Sequence, residues 1–112
     1  MIYKDKGLVY SEYIIDFLRR SCMIDEKKLS IKAETFYNCR EQGYVLYVRN
    51  EKFETIYVWI YAHRNSDEPT IVWGKEIEGA NMFTEEEWEK QKVFRNIDDA
   101  VQYTEEIICR NI

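Results

Sequence analysis

Proline, glycine and histidine are scarce in this chain of 112 residues, which contains one proline, four glycines and one histidine. Few prolines and glycines leave little room for a flexible linker. Hydrophobic residues make up 46% of the chain and aromatic residues 15%, which is more than disordered segments contain. Two cores sharing this length would each be too small to offset chain entropy. We therefore expect one domain spanning residues 1–112.

Long apolar runs are also missing. No stretch approaches the roughly 20 apolar residues needed to cross a bilayer, and residues 1–6 lack the apolar core of a signal peptide. Cys22, Cys39 and Cys109 are odd in number and form no closely spaced pair, as expected of reduced thiols. These absences predict a cytoplasmic protein with no membrane contact.

Motifs that mark catalytic or cofactor sites are absent. His63 is the only histidine, and no cysteine or carboxylate lies at a metal-ligand spacing around it. The chain has no glycine-rich nucleotide motif and no nucleophile-elbow serine. Paired acids such as Asp98 and Asp99 fall in predicted first turns of helices, where capping explains them. We therefore predict no catalytic residues, no metal and no cofactor.

The formal net charge of −5 comes from the last third of the chain. Residues 1–75 contain 12 Lys/Arg and 11 Asp/Glu, whereas residues 76–112 contain 4 and 10. A negative field repels phosphate backbones and favours basic partners. We expect no direct nucleic-acid binding and a protein partner with a basic surface.

Two amphipathic helices are predicted near the ends of the chain. Ser11 is placed to cap a helix over about residues 11–22, with Tyr10 packing on Ile15 as a hydrophobic staple. Asn96 is placed to cap a C-terminal helix that carries one apolar stripe. A further short helix is predicted at residue 84, because Thr84 and Glu87 form a capping box.

Period-two alternation predicts four strands between the outer helices. The runs are residues 31–39, 44–49, 54–64 and 70–77. The breaks between them are short and polar, which indicates hairpins and a four-stranded antiparallel meander. Residues 33–42 also fit a short helix. The predicted fold is α+β: an N-terminal helix, the meander, a short helix and a C-terminal helix, with the helices on one face of the sheet.

The run 54–64 has two chemically different faces. One face is aliphatic, and it consists of Ile56, Val58, Ile60 and Ala62. The other is aromatic with polar tips, and it consists of Thr55, Tyr57, Trp59, Tyr61 and His63. The helices should bury their stripes on the aliphatic face, which would leave the aromatic one exposed. We therefore expect Tyr57, Trp59 and Tyr61 to anchor a partner or a homodimer, unless other parts of the chain cover them as a second core.

A neighbouring strand is expected to extend this aromatic face. If the turn is centred on Glu51 and Lys52, Tyr44 comes opposite Trp59, and Tyr44 joins the candidate contact residues. The face on which Trp73 lies depends on a register that the sequence leaves open.

A second candidate surface is acidic. Asp98 and Glu105 are seven residues apart on the C-terminal helix, so they share one side of it. Together with Glu85, Glu86 and Glu89 they would form an anionic patch that docks on a basic surface, such as the nucleic-acid channel of another protein. The alternative is an ordinary solvated helix face.

These observations favour a small acidic, non-catalytic protein-binding module. Small acidic domains without active-site motifs are common among immunity proteins and phage-encoded inhibitors of host defence, and this analogy of class suggests an inhibitor or anti-defence role. Two alternatives are kept. One is a nucleotide-like ligand stacked on the aromatic face, and the other is an enzyme of unrecognised type.

Overall fold

The computed structural model of the protein describes residues 6–37, 41–63, 68–75 and 91–112. Its elements are α1 (Lys6–Arg19), α2 (Cys22–Glu26), β1 (Ser30–Tyr37), β2 (Glu41–Arg49), β3 (Thr55–His63), β4 (Thr70–Lys75), β5 (Lys92–Val93) and α3 (Ile97–Asn111). The strands form one antiparallel sheet in the order β1-β2-β3-β4-β5. The predicted α+β meander is confirmed, with a fifth strand added. No helix in the described ranges is long and apolar enough to span a membrane.

The fifth strand is the two-residue β5. It pairs Thr70 with Val93 and Ile71 with Lys92, and Phe94 N donates to Pro69 O at 2.8 Å. A strand of two residues is too short to show an alternation, so the sequence could not predict it.

The start of the sheet follows the strand prediction and not the helical alternative. Residues 30–37 form β1, which pairs along its whole length with β2. β2 already includes Glu41, Gln42 and Gly43, which were predicted to be part of a turn. Residues 38–40, including Cys39, lie outside the described residues.

The N-terminal helix differs from its prediction. α1 already includes Lys6, so Ser11 lies in its middle and is not its cap. The Ser11 side chain is fully buried, with its Oγ 2.6 Å from Gly7 O and 2.8 Å from Ile60 O. Its hydroxyl therefore links the helix to β3. The predicted hydrophobic staple at Tyr10 is wrong for the same reason: Tyr10 and Ser11 both lie inside α1, and a staple residue must precede the helix.

The C-terminal helix agrees with its prediction. Asn96 Oδ1 accepts from Asp99 N at 2.9 Å, so Asn96 is the N-cap. The buried residues of α3 form the expected stripe, namely Ala100, Val101, Thr104, Ile107 and Ile108. The helix predicted at Thr84 and Glu87 lies outside the described residues.

Both long helices pack on the aliphatic face of the sheet. Ile56, Val58 and Ile60 of β3 are fully buried there. They belong to one core that also includes Ile14, Ile15 and Leu18 of α1, Leu46 and Val48 of β2, and Ala100, Val101, Ile107 and Ile108 of α3. This side of the sheet is called the helix-covered face below. The prediction of a helix layer on an aliphatic face is therefore confirmed.

The β2–β3 register differs from the prediction by one residue. Phe53 adopts a left-handed conformation (φ 65), and its N–H donates to Asn50 O at 3.1 Å. The loop therefore contains one more residue than a two-residue turn centred on Glu51 and Lys52. As a result Tyr44 pairs with Ile60, and its side chain packs against the helix-covered core. Trp73 packs against the same core.

Candidate protein-binding surface

The opposite side of the sheet is built from cross-strand rows. One row runs Lys32, Tyr47, Tyr57, Gly74 from β1 to β4, and the next runs Glu34, Val45, Trp59, Val72. We call this side the aromatic face. Neither α1 nor α3 packs on it, because both contribute to the core on the other side.

Tyr47 and Tyr57 form a pair at the centre of the first row. Their ring centroids are 5.1 Å apart and their planes meet at 80°, an edge-to-face arrangement. Both side chains are half-buried. The sequence analysis did not assign Tyr47 to this face, because a two-residue turn places Tyr44 there instead. A turn longer by one residue places Tyr47 opposite Tyr57.

Trp59 lies in the second row between two buried valines. Val45 and Val72 are 6% and 1% exposed, whereas Trp59 is half-buried. Tyr61 follows on the same face but is fully buried, and its hydroxyl donates to Gln91 Oε1 at 2.7 Å. Of the three predicted anchors, Tyr57 and Trp59 therefore present accessible surface, whereas Tyr61 supports the face from within the fold.

A pair of opposite charges borders the aromatic face on β1. Lys32 Nζ lies 3.2 Å from Glu34 Oε1, and the two side chains are 75% and 49% exposed. Burial raises the pKa of the Tyr47 phenol, and the negative charge of Glu34 and a hydrogen bond to it raise it further, while Lys32 acts in the opposite direction. These interactions favour the neutral phenol, which donates a hydrogen bond to the Glu34 carboxylate.

The remaining predicted contact residues lie elsewhere. Tyr44 is on the helix-covered face, where its hydroxyl donates to Glu12 Oε1 at 3.2 Å. Asp98 and Glu105 are on α3, in the helix layer. Asp98 is exposed, whereas Glu105 is half-buried and accepts from Ser21 Oγ at 2.7 Å. The structure therefore separates these acids from the aromatic face, and Glu85, Glu86 and Glu89 lie outside the described residues.

A surface cavity of about 470 Å³ lies where α1 and α2 approach α3. Its lining residues are Phe17, Arg20, Ser21, Cys22, Met23 and Glu105. Nearby, burial raises the pKa of the Cys109 thiol, and Glu105 raises it further while Lys27 lowers it, so Cys109 is a poor nucleophile. No group of three potential metal ligands occurs in the described part of the chain.

Comparison with known proteins finds no matching family model, no matching curated protein and no matching solved structure.

Proposed function

We propose that this chain is a non-catalytic protein-binding module of the inhibitor, immunity or anti-defence type, and that it binds a protein with a basic surface. The contact is centred on Trp59 and Tyr57, with Tyr47 beside them. The observation that carries the proposal is that three half-buried aromatic side chains adjoin one another on the sheet face opposite both long helices.

The chemistry of these side chains suits a contact surface. Tyrosine and tryptophan combine a large apolar area with a hydrogen-bonding group that tolerates water in the free protein. They are enriched among the residues that dominate binding free energy, where truncation to alanine typically costs about 2 kcal/mol or more. Cross-strand pairing and the edge-to-face contact hold the rings in place, so little side-chain entropy is lost when a partner binds.

The acidic residues of α3 have a separate role in this proposal. Asp98, Asp99 and Glu106 are exposed, but they are in the helix layer. Packed layers are about 10 Å apart, and the screening length at physiological salt is about 8 Å. The acids therefore accelerate encounter with a basic partner at low salt without contacting the residues that bind Trp59.

The experiment that tests the proposal compares three baits. Wild-type, Trp59→Ala and Phe53→Ala proteins are used to capture partners, which are quantified by mass spectrometry and then purified for titration. Phe53 is the matched control, because it is an aromatic residue 75% exposed in the β2–β3 loop. We expect Trp59→Ala to weaken the complex by roughly thirtyfold or more, with Phe53→Ala close to wild type.

Two results would contradict this proposal. One is a partner that binds wild type and folded Trp59→Ala equally, with folding checked by circular dichroism. The other is an association rate with the same salt dependence in wild type and Asp98→Lys/Glu106→Lys, which would remove the steering role.

The nucleotide-ligand alternative receives less support. Tyr47 meets Tyr57 edge-on, so these two rings are not a parallel pair between which a base could insert. A thermal-shift screen of nucleotides tests this alternative, because a ligand that binds the folded state raises its melting temperature.

A further inference from the structure

β1 forms one edge of the sheet. Among the described residues it pairs only with β2, although it is eight residues long. The other edge of such a strand presents backbone N–H and C=O groups that suit pairing with a further strand. Edge strands are often protected by charged residues, so the charge pattern of β1 determines which strand it accepts.

The exposed charges of β1 are complementary to themselves. Lys32 and Glu34 point to the same face of the sheet and flank Ala33. If two copies of β1 pair antiparallel around a two-fold axis at Ala33, Lys32 of each copy lies opposite Glu34 of the other. An axis at Lys32 would oppose two lysines, and an axis at Glu34 would oppose two glutamates. Only the Ala33 register pairs the opposite charges.

We propose that β1 pairs with β1 of a second copy of this chain, antiparallel about Ala33, so that the two sheets become one continuous sheet. This two-fold arrangement is self-complementary, as dimer interfaces of this symmetry must be. It does not depend on the proposed function.

The other side chains of β1 fit this register. On the helix-covered face, Ile31 and Ala33 are half-buried against the core. Ala33 would meet its own copy, and a small side chain allows the two strands to approach closely. Ile31 would lie opposite Thr35 of the second copy and cover its methyl group. The aromatic faces of the two copies would continue across the joint, with each Tyr47 one strand from it.

A charge-swap experiment tests the register directly. In Lys32→Glu, β1 carries two carboxylates, and in Glu34→Lys it carries two ammonium groups. Each variant alone opposes like charges, so its dimer should weaken roughly ten- to hundredfold. A mixture of the two should form a heterodimer, because every facing pair is then of opposite sign. Sedimentation velocity on the separate variants and native mass spectrometry on the mixture measure these species.

Two further variants serve as controls. Lys32→Glu/Glu34→Lys in one chain restores opposite charges across the joint and should dimerise like wild type. Lys28→Glu removes the Lys28–Glu51 ion pair, at 3.9 Å, from the loop before β1, and it should not affect dimerisation. The side chains of Lys28, Lys32 and Glu34 are exposed, so the substitutions should not disturb the core. Circular dichroism checks that each variant folds.

A wild-type protein that stays monomeric at about 1 mM, a concentration at which even weak contacts are populated, overturns the proposal. So does a mixture that forms no more heterodimer than the separate variants form homodimer. A heterodimer together with a restored dimer in the double swap supports it.

Discussion

The two faces of β3 differ in chemistry and in burial. Alternate residues of one strand face a helix layer on one side and the aromatic rows on the other. Ile56, Val58 and Ile60 are fully buried under α1 and α3, whereas Tyr57 and Trp59 stay half-buried. Burial of aliphatic side chains stabilises the fold in proportion to the area removed from water. The two rings are only partly removed from water, so mutations on the two faces should have different consequences for stability.

The largest expected effect is on the helix-covered face. Ile60→Ala removes buried methyl groups from a close-packed core, so it should lower the free energy of unfolding by about 3–4 kcal/mol. Tyr57→Ala removes a half-buried ring and should lower it by about 1 kcal/mol. Urea denaturation of both variants measures the difference.

Equal decreases in the free energy of unfolding in Ile60→Ala and Tyr57→Ala would contradict this difference between the two faces. They would show that the aromatic face is a second core of the monomer. Retained partner binding by Tyr57→Ala would show that Tyr57 is not part of the proposed contact.

A smaller effect is expected at Gly43 of β2, where the backbone of β3 leaves no room for a Cβ. A Cβ on this residue would overlap the Ile60 carbonyl oxygen and lie 2.9 Å from the Ile60 carbonyl carbon. Because these are backbone atoms, the strands would have to separate locally. We expect Gly43→Ala to lower the free energy of unfolding by about 2 kcal/mol. Gln42→Ala, at the neighbouring position, is the control and should change it by less than about 0.5 kcal/mol. Similar values for both variants would contradict the close approach.

The Ile60 carbonyl oxygen also accepts a hydrogen bond from the Ser11 hydroxyl of α1, at 2.8 Å. Ser11→Ala leaves the buried Ile60 oxygen without its donor from α1. A net loss of one buried hydrogen bond costs about 1 kcal/mol. Chemical denaturation measures this loss, and hydrogen exchange in the middle of α1 should increase. Unchanged exchange there would show that the hydroxyl is not the link between helix and sheet.

The helices and strands could be predicted because the spacing of apolar residues along the chain indicates which side of each element is buried. The strand alternation identified the aliphatic side of β3, and Asn96 with its apolar stripe identified α3. The charge imbalance was equally visible, but the position of Asp98, Asp99, Glu105 and Glu106 in the helix layer required the fold. The sequence therefore predicted the two long helices, the four longer strands and the two faces of β3, but neither α2 nor β5.

Details that depend on tertiary contacts or on unusual backbone angles were not predictable. Phe53 adopts φ 65 although it is neither glycine nor asparagine, so nothing marked the extra loop residue that moved Tyr44 to the core. Ser11 looked like a cap because serine favours that position, and only Ile60 of β3 explains its burial. Local propensity thus failed where a distant strand supplied the partner.

The smallest expected effect concerns the ionisation of Tyr47 at the border of the aromatic face. Its pKa is raised in the folded protein by burial and by Glu34. Stability from this shift is fully present below the usual tyrosine pKa of about 10 and is lost as the pH rises through the higher folded value. Tyr47→Phe should therefore lose slightly less stability above pH 10 than wild type. In Glu34→Gln the Tyr47 pKa should fall, as an NMR titration of its ring carbons would show. An unchanged titration would mean that Glu34 does not interact with the phenol, and that the charged border of β1 is independent of the aromatic rows.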